Sequence, residues 1–310
     1  MKALGSRSSL GGIVLLGVFA TVAVAGHLHG DSLALVGEPL TPPSATHPFG
    51  TDFLGRDLLA RTGRGATTSA LVAGASVGLA TLIATPIGMV TGWFSHRGAA
   101  KVMRWAVELL QVVPPFVLVV VLLGLTSAPD ATVFGSRLSP QWRLIMSLAI
   151  GFVPYLTRVI HAATAAERSR DHIEGLRLLG VPQREVLVGE VIPNLAPVVA
   201  VQMLLALSLS VFAEGGLSYL GMGVPAPAPT LGNLIAEAGT QLLDGAWWYA
   251  VIPGLVLVCG ITGINLAADA GADHMVGLRA ATDASDPTDE SDMALPTTSP
   301  LEPIQREALT

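Results

Sequence analysis

Six stretches of the chain, residues 10–26, 69–94, 105–125, 144–166, 195–213 and 247–268, are apolar over about the length, some 20 residues, that a helix needs to cross a bilayer. One such run fits the core of a soluble protein. Six in series do not, and inside lipid the backbone must satisfy its own hydrogen bonds, which a helix does. With 51% hydrophobic and 13% charged residues, against about 25% charged in an ordinary soluble domain, the chain reads as an all-α integral membrane protein with six transmembrane helices. The bilayer is its first partner.

The first run follows Lys2 and Arg7 and so resembles a signal peptide. It is long for the apolar core of one, and "VAGHLHG" is only a fair cleavage site, so we read an uncleaved first span. The third run carries Glu108 and the pair Pro114-Pro115, and the fourth carries Pro154 and Arg158. The single cysteine, Cys259, excludes an intramolecular disulfide framework and a cysteine metal site.

The net charge of −6 belongs to one segment: residues 282–310 hold seven acidic residues against Arg306. Residues 1–281 are therefore balanced, and nothing points to a nucleic-acid partner. The segment 282–310, rich in Asp, Ser, Thr and Pro, buries too little apolar surface to offset ordering and is expected to be disordered. The chain then divides into residues 1–46 (an N-terminal end, first span and outer loop), a core of residues 47–281 with five spans and a loop at 167–194, and the acidic tail 282–310.

Lys and Arg in the connections set the orientation. With the N-terminus inside, the cytoplasmic parts collect twelve basic residues and the outer parts five: Arg56, Arg61, Arg64, Arg137 and Arg143. The connection 214–246 has none. The three arginines of the first outer loop oppose this assignment, but long loops obey the rule less strictly.

The loop between the fourth and fifth runs contains "EGLRLLGVPQREVLVGEVIPN", residues 174–194. It reads as two short helices and a hinge. Asp171 caps the first, with Glu174 three positions on as its capping-box partner; Gly180 suits the left-handed position that ends it, and Pro182 the first turn of the next. Ile173, Leu176 and either Leu179 or Gly180 fall at near-helical spacing and form an apolar stripe. Such a stripe packs either on the ends of its own bundle or in a groove of another protein.

The loop resembles the cytoplasmic coupling loop of permease subunits of binding-protein-dependent ABC importers, whose pattern is Glu-Ala-Ala, three residues, Gly, nine residues, Ile-x-Leu-Pro. Glu174, Gly180 and Pro193 match at the family's spacing; Gly175 and Leu176 replace the alanines, and Glu190 and Ile192 replace the Ile and Leu. The ending Pro193-Asn194 is similar to that of the peptide and nickel branch. "HPFGTDFLGRDLLARTGRGATTSALVAG" (47–74), "EGGLSYLGMGVPAPAPTLGNLIAEA" (214–238) and "WWYAVIPGLVLVCGITGINLAADA" (247–270) resemble further blocks of the second permease of dipeptide and oligopeptide operons.

The resemblance implies a type I importer permease in a bacterial plasma membrane with both termini cytoplasmic. It implies a homologous permease, two ATPase subunits and an extracytoplasmic binding protein as partners. It also implies a coupling role for Asp171, Glu174, Gly175, Leu176, Gly180, Pro182, Ile192, Pro193 and Asn194. Gly180, Pro182, Pro193 and Pro197 then mark where rigid segments meet. Candidate pathway or interface residues are Arg158, Glu108 and Glu214, the last expected to face outward toward the binding protein. Arg158 and Glu108 also suit snorkelling at span ends. Gly74, Gly78, Gly88 and Gly92 suit close helix packing.

No G-x-x-x-x-G-K-[ST] loop occurs, so ATP and its magnesium belong to the partner ATPases and this chain carries no cofactor. No G-x-S-x-G or H-E-x-x-H motif supports an enzyme, and the "HLH" of residues 27–29 lacks nearby carboxylates for a metal. An ion- or proton-driven carrier would show repeats and midplane charges, and neither is evident. Di- and oligopeptides are the substrates the resemblance favours, with nickel or haem-like ligands as alternatives within the branch.

Overall fold

The computed structural model describes residues 2–126 and 138–284, with side chains for 9–126 and 138–274. The chain forms two units, Met1–Ala272 and Asp273–Thr310. Of the second, only the end of the last helix falls among the described residues, so the expected disorder of the acidic tail lies outside them.

The helices are α1 (Lys2–Leu28), α2 (Leu58–Trp93), α3 (Gly98–Leu110), α4 (Pro115–Thr126), α5 (Pro140–Arg168), α6 (Asp171–Leu178), α7 (Gln183–Val186), α8 (Ile192–Tyr219), α9 (Leu231–Glu237) and α10 (Trp247–Ala284). Five spans are single helices long and apolar enough to cross a membrane: Ser9–Leu28, Leu58–Trp93, Pro140–Arg168, Gln183–Tyr219 and Trp247–His274. The third apolar run is not one helix. It is α3 and α4, bent by 86° at a short break, and makes a sixth span only if the pair is counted together. Pro114 and Pro115 explain the break, since a proline removes a backbone donor and its ring clashes with the preceding turn.

The core is α2 against α5, with α8 and α4 packed on them. Val77, Ala80 and Ala84 meet Ala149, Val153, Leu156, Ile160 and Ala206, while Val72 meets Val119, Leu123, Leu144 and Leu217. Lipid offers no hydrophobic drive to bring helices together, so contact depends on close fit. A Cβ on Gly88 would meet Ile160, and one on Gly92 would meet the His161 carbonyl and Thr164. Gly74 and Gly78 have open space where a Cβ would stand, so only the lower half of the expected glycine stripe is a packing surface. Some buried hydroxyls are satisfied within their own helices, as Ser76 to the Val72 carbonyl and Thr164 to the Ile160 carbonyl, while those of Thr62 and Thr157 have no hydrogen-bond partner among the described residues.

At the α9 end a folded cap forms around Leu58, Leu234, Trp248 and Tyr249. Asp57 begins α2 by accepting from the Ala60 N–H at 2.9 Å. Beside it Arg61, 1% exposed, donates to Asp52 Oδ2 at 2.7 Å and to both oxygens of Glu237 at 2.7 and 3.2 Å. Arg56 Nε donates to Asp52 at 2.6 Å, and the Tyr249 hydroxyl donates to Glu237 at 2.8 Å. Two guanidiniums and two carboxylates thus join the first connection to α9 and α10.

Candidate functional site

Loop 167–194 is more ordered than its charge suggests. The N-cap of α6 is Arg170, not Asp171: the Arg170 carbonyl accepts the Glu174 N–H at 3.1 Å, and no side chain caps the helix. Asp171 and Glu174 stand instead in the first turn, where their charge complements the helix dipole, and the expected capping box is absent. The other end is as expected. Gly180 has φ +79°, its N–H donates to Arg177 and that of Val181 donates to Leu176, closing a Schellman motif.

Pro182 sits one place before the first turn of α7, as its N-cap, and its carbonyl accepts from Glu185 and Val186. From Gln183 the helix then runs without interruption into the fifth span, through a π-helical turn at Leu187–Val191. Pro193 and Asn194 therefore lie in the first turns of α8, and Pro197 lies inside it; neither proline is a segment boundary. The π turn accounts for this. Pro193 has no N–H to give and would crowd the carbonyl four residues back, and a wider turn absorbs both defects without ending the helix.

The apolar stripe divides. Ile173 is fully buried and Leu176 partly so, packed with Trp93, Val186, Val191 and Leu195 of the chain itself. Leu179, expected on the same stripe, is 82% exposed, and Leu178 is 83% exposed. Leu179 keeps the helical bond to the Gly175 carbonyl, but six positions on from Ile173 it lies about 120° round the helix from it and so faces away. The free face is thus Glu174, Arg177, Leu178 and Leu179, beside an open cleft of ≈340 Å³ lined by Glu174, Arg177, Leu178, Gly180, Val181 and Gln183. A Cβ on Gly175 would meet nothing within 4 Å.

Glu167, which the sequence reading passed over, ties the loop. It is 4% exposed, accepts from Asn194 Nδ2 at 2.8 Å and pairs with Arg170 Nε at 3.1 Å. Ile192 and Pro193 beside it are exposed. No local signal marks Glu167, because Asn194 lies 27 positions away.

The other candidates separate. Glu108 pairs with Arg104 at 3.3 Å one helical turn away, while Arg158 makes no ion pair or hydrogen bond among the described residues. Both border a small cavity with Thr91, Gln111 and His161. A larger one, ≈230 Å³, opens between the α3–α4 bend and α5, lined by Gln111, Pro115, Gly151, Pro154, Tyr155 and Arg158 among others. The Gln111 amide donates to the Pro154 carbonyl at 2.8 Å, so the break in one span faces the proline of the next. Arg158 stands ten residues before the end of α5, about 15 Å along the helix.

Glu214 does not face outward. It is fully buried in α8, accepting from Ser218 at 2.7 Å, because α8 continues to Tyr219 instead of ending before the "GGLSY" run. His27 and His29 do not converge either: His27 meets the Ala23 carbonyl and His29 lies 3.4 Å from Asp57. No group of three metal-ligating residues occurs among the described residues.

Residues 84–276 match the family of inner membrane components of binding-protein-dependent transport systems. The oligopeptide transport system permease protein OppC of Mycobacterium tuberculosis is 34% identical over 253 residues, 81% of this chain and 79% of that protein. The di/tripeptide transport system permease protein DppC of Pseudomonas aeruginosa is 30% identical over 242 residues, 76% of each chain.

Proposed function

The chain belongs to the family of binding-protein-dependent transport system inner membrane components, and from that premise we propose that it is the permease subunit of an ATP-driven importer of di- and oligopeptides. It forms half of the translocation pathway and pairs with a homologous permease. An extracytoplasmic binding protein delivers the peptide. Two cytosolic ATPases bind ATP with magnesium, and hydrolysis of the ATP supplies the energy.

The observation that carries the coupling role is the geometry of α6. The helix is closed by a Schellman turn at Gly180, anchored by Ile173 inside its own bundle, and free on the side of Leu178, Leu179 and Glu174. The buried side passes a displacement to α5 and α8, and the free side takes an ATPase groove. Asp171, Gly175 and Pro182 shape this helix and its exit. Leu176, Ile192, Pro193 and Asn194 join it to the fifth span.

The pathway runs past the α3–α4 bend. Broken helices at membrane depth are tolerated where they line a cavity, and the ≈230 Å³ space beside Gln111, Pro154 and Arg158 is such a place. Both termini lie in the cytoplasm, as the twelve-to-five distribution of basic residues favours.

Gentle extraction of the tagged chain from its native membrane, with subunits counted by mass spectrometry, tests the assembly. Two ATPases and one homologous permease are expected, with the ATPases lost and the permease retained in Leu179→Asp. A homo-oligomer without ATPase overturns the reading. Uptake of labelled trialanine by proteoliposomes holding the complex and binding protein tests the substrate class.

A further inference from the structure

Loop 167–194 leaves the bundle at the end of α5 and returns to it at the start of α8, and one buried carboxylate touches both places. Glu167 Oε1 accepts from Asn194 Nδ2 at 2.8 Å, joining the last turn of α5 to the first turns of α8. Its Oε2 lies 3.1 Å from Arg170 Nε, and Arg170 is the residue whose backbone carbonyl starts α6. His172, on α6 itself, stands 3.9 Å from Oε1. Glu167 is 4% exposed, and bonds to a buried charge are stronger than neutral ones and costly to leave unmade.

A second observation shows why such a tie matters. The far stem of the loop contains the π turn at Leu187–Val191, a place where a helix yields. Without a cross-link between the stems, a push on α6 would be absorbed there. With it, α5, α6 and α8 must move as one body. We propose that Glu167 is a positioning residue for energy coupling, closing the loop through Asn194 and Arg170 so that displacement of α6 reaches both spans at once. The proposal rests on the coupling role assigned to α6 above.

The test uses the complete complex in proteoliposomes, in a Cys259→Ala background. Two quantities are read: trialanine taken up per ATP hydrolysed, and the ATP-dependent change in labelling of Tyr219→Cys, at the exposed end of α8, by an impermeant maleimide, which needs no substrate. Asn194→Asp sets carboxylate against carboxylate and Asn194→Ala removes the donor. Both should keep the ATPases bound and hydrolysing, while uptake per ATP falls by about tenfold and the labelling change is lost. The paired variant Glu167→Gln/Asn194→Asp restores the bond with its polarity reversed and should restore both readouts; a merely space-filling role predicts no such rescue. Full coupling in Asn194→Ala, or loss that the paired variant does not repair, overturns the proposal alone. Absence of ATPases from the wild-type complex overturns the coupling reading with it.

Discussion

At the residue scale, two glycines in one short helix have opposite needs. Gly175 occupies an interior helical position with open space around its missing Cβ, so Gly175→Ala should stabilise α6 by about 0.5–1 kcal/mol. Hydrogen exchange of the α6 amides is the check, and slower exchange without loss of ATPase binding is the expected result. Gly180 sits at φ +79°, where an L residue costs about 1–2 kcal/mol. Gly180→Val should fray the end of α6 and lower ATP-coupled uptake, whereas Gly180→Asn, which tolerates that conformation, should retain most of it. Equal activity of the two variants would remove Gly180 from the coupling geometry. The role of Gly180 was legible because a left-handed C-cap leaves a chemical signature. That of Glu167 was not, because nothing in the local sequence marks a carboxylate whose partner lies 27 positions away.

At the scale of elements, apolar length read the number of spans well and their ends poorly. The fifth span begins at Gln183, twelve residues before the apolar run, because a helix continues through Arg184, Glu185 and Glu190 wherever those side chains reach polar surroundings. The bend between α3 and α4 was announced by Pro114-Pro115, but an apolar count is blind to direction. The apolar stripe of α6 was legible in period and not in destination: helical spacing says which residues share a face and not which neighbour covers it. This yields a paired prediction. Ile173→Asp, at a fully buried position, should unfold the loop and reduce the amount of assembled permease. Leu178→Asp and Leu179→Asp should leave the permease pair intact and release the ATPases, since both side chains are more than four-fifths exposed. Subunit counting on the three variants decides it, and release of ATPases by none of them would place the docking face elsewhere.

At the scale of the whole molecule, the arginines that seemed to contradict the orientation explain the architecture of one end. The rule on basic residues concerns charge that must be held back from crossing a membrane. Arg61 is instead consumed inside a folded cap, bonded to Asp52, to both oxygens of Glu237 and 3.4 Å from the Tyr249 hydroxyl. Its partners come from the first connection, from α9 and from α10, segments up to 197 positions apart between Asp52 and Tyr249. Counting residues could not pair them, since the sequence shows only that the connection 214–246 has acids and no base. Removing one member of a buried ion cluster strands the others, a loss of about 3–5 kcal/mol. Arg61→Ala should therefore open the cap, speeding hydrogen exchange across residues 47–57 and lowering resistance to denaturant in mixed micelles, while ATPase binding at the α6 end persists. Arg61→Lys keeps the charge but loses the fork that grips Glu237, so it should fall between the two. A double-mutant cycle with Glu237→Gln should give a coupling energy of at least about 1 kcal/mol if the pair acts as one unit. Additivity within about 0.3–0.5 kcal/mol would instead make Arg61 a space-filling residue of the cap.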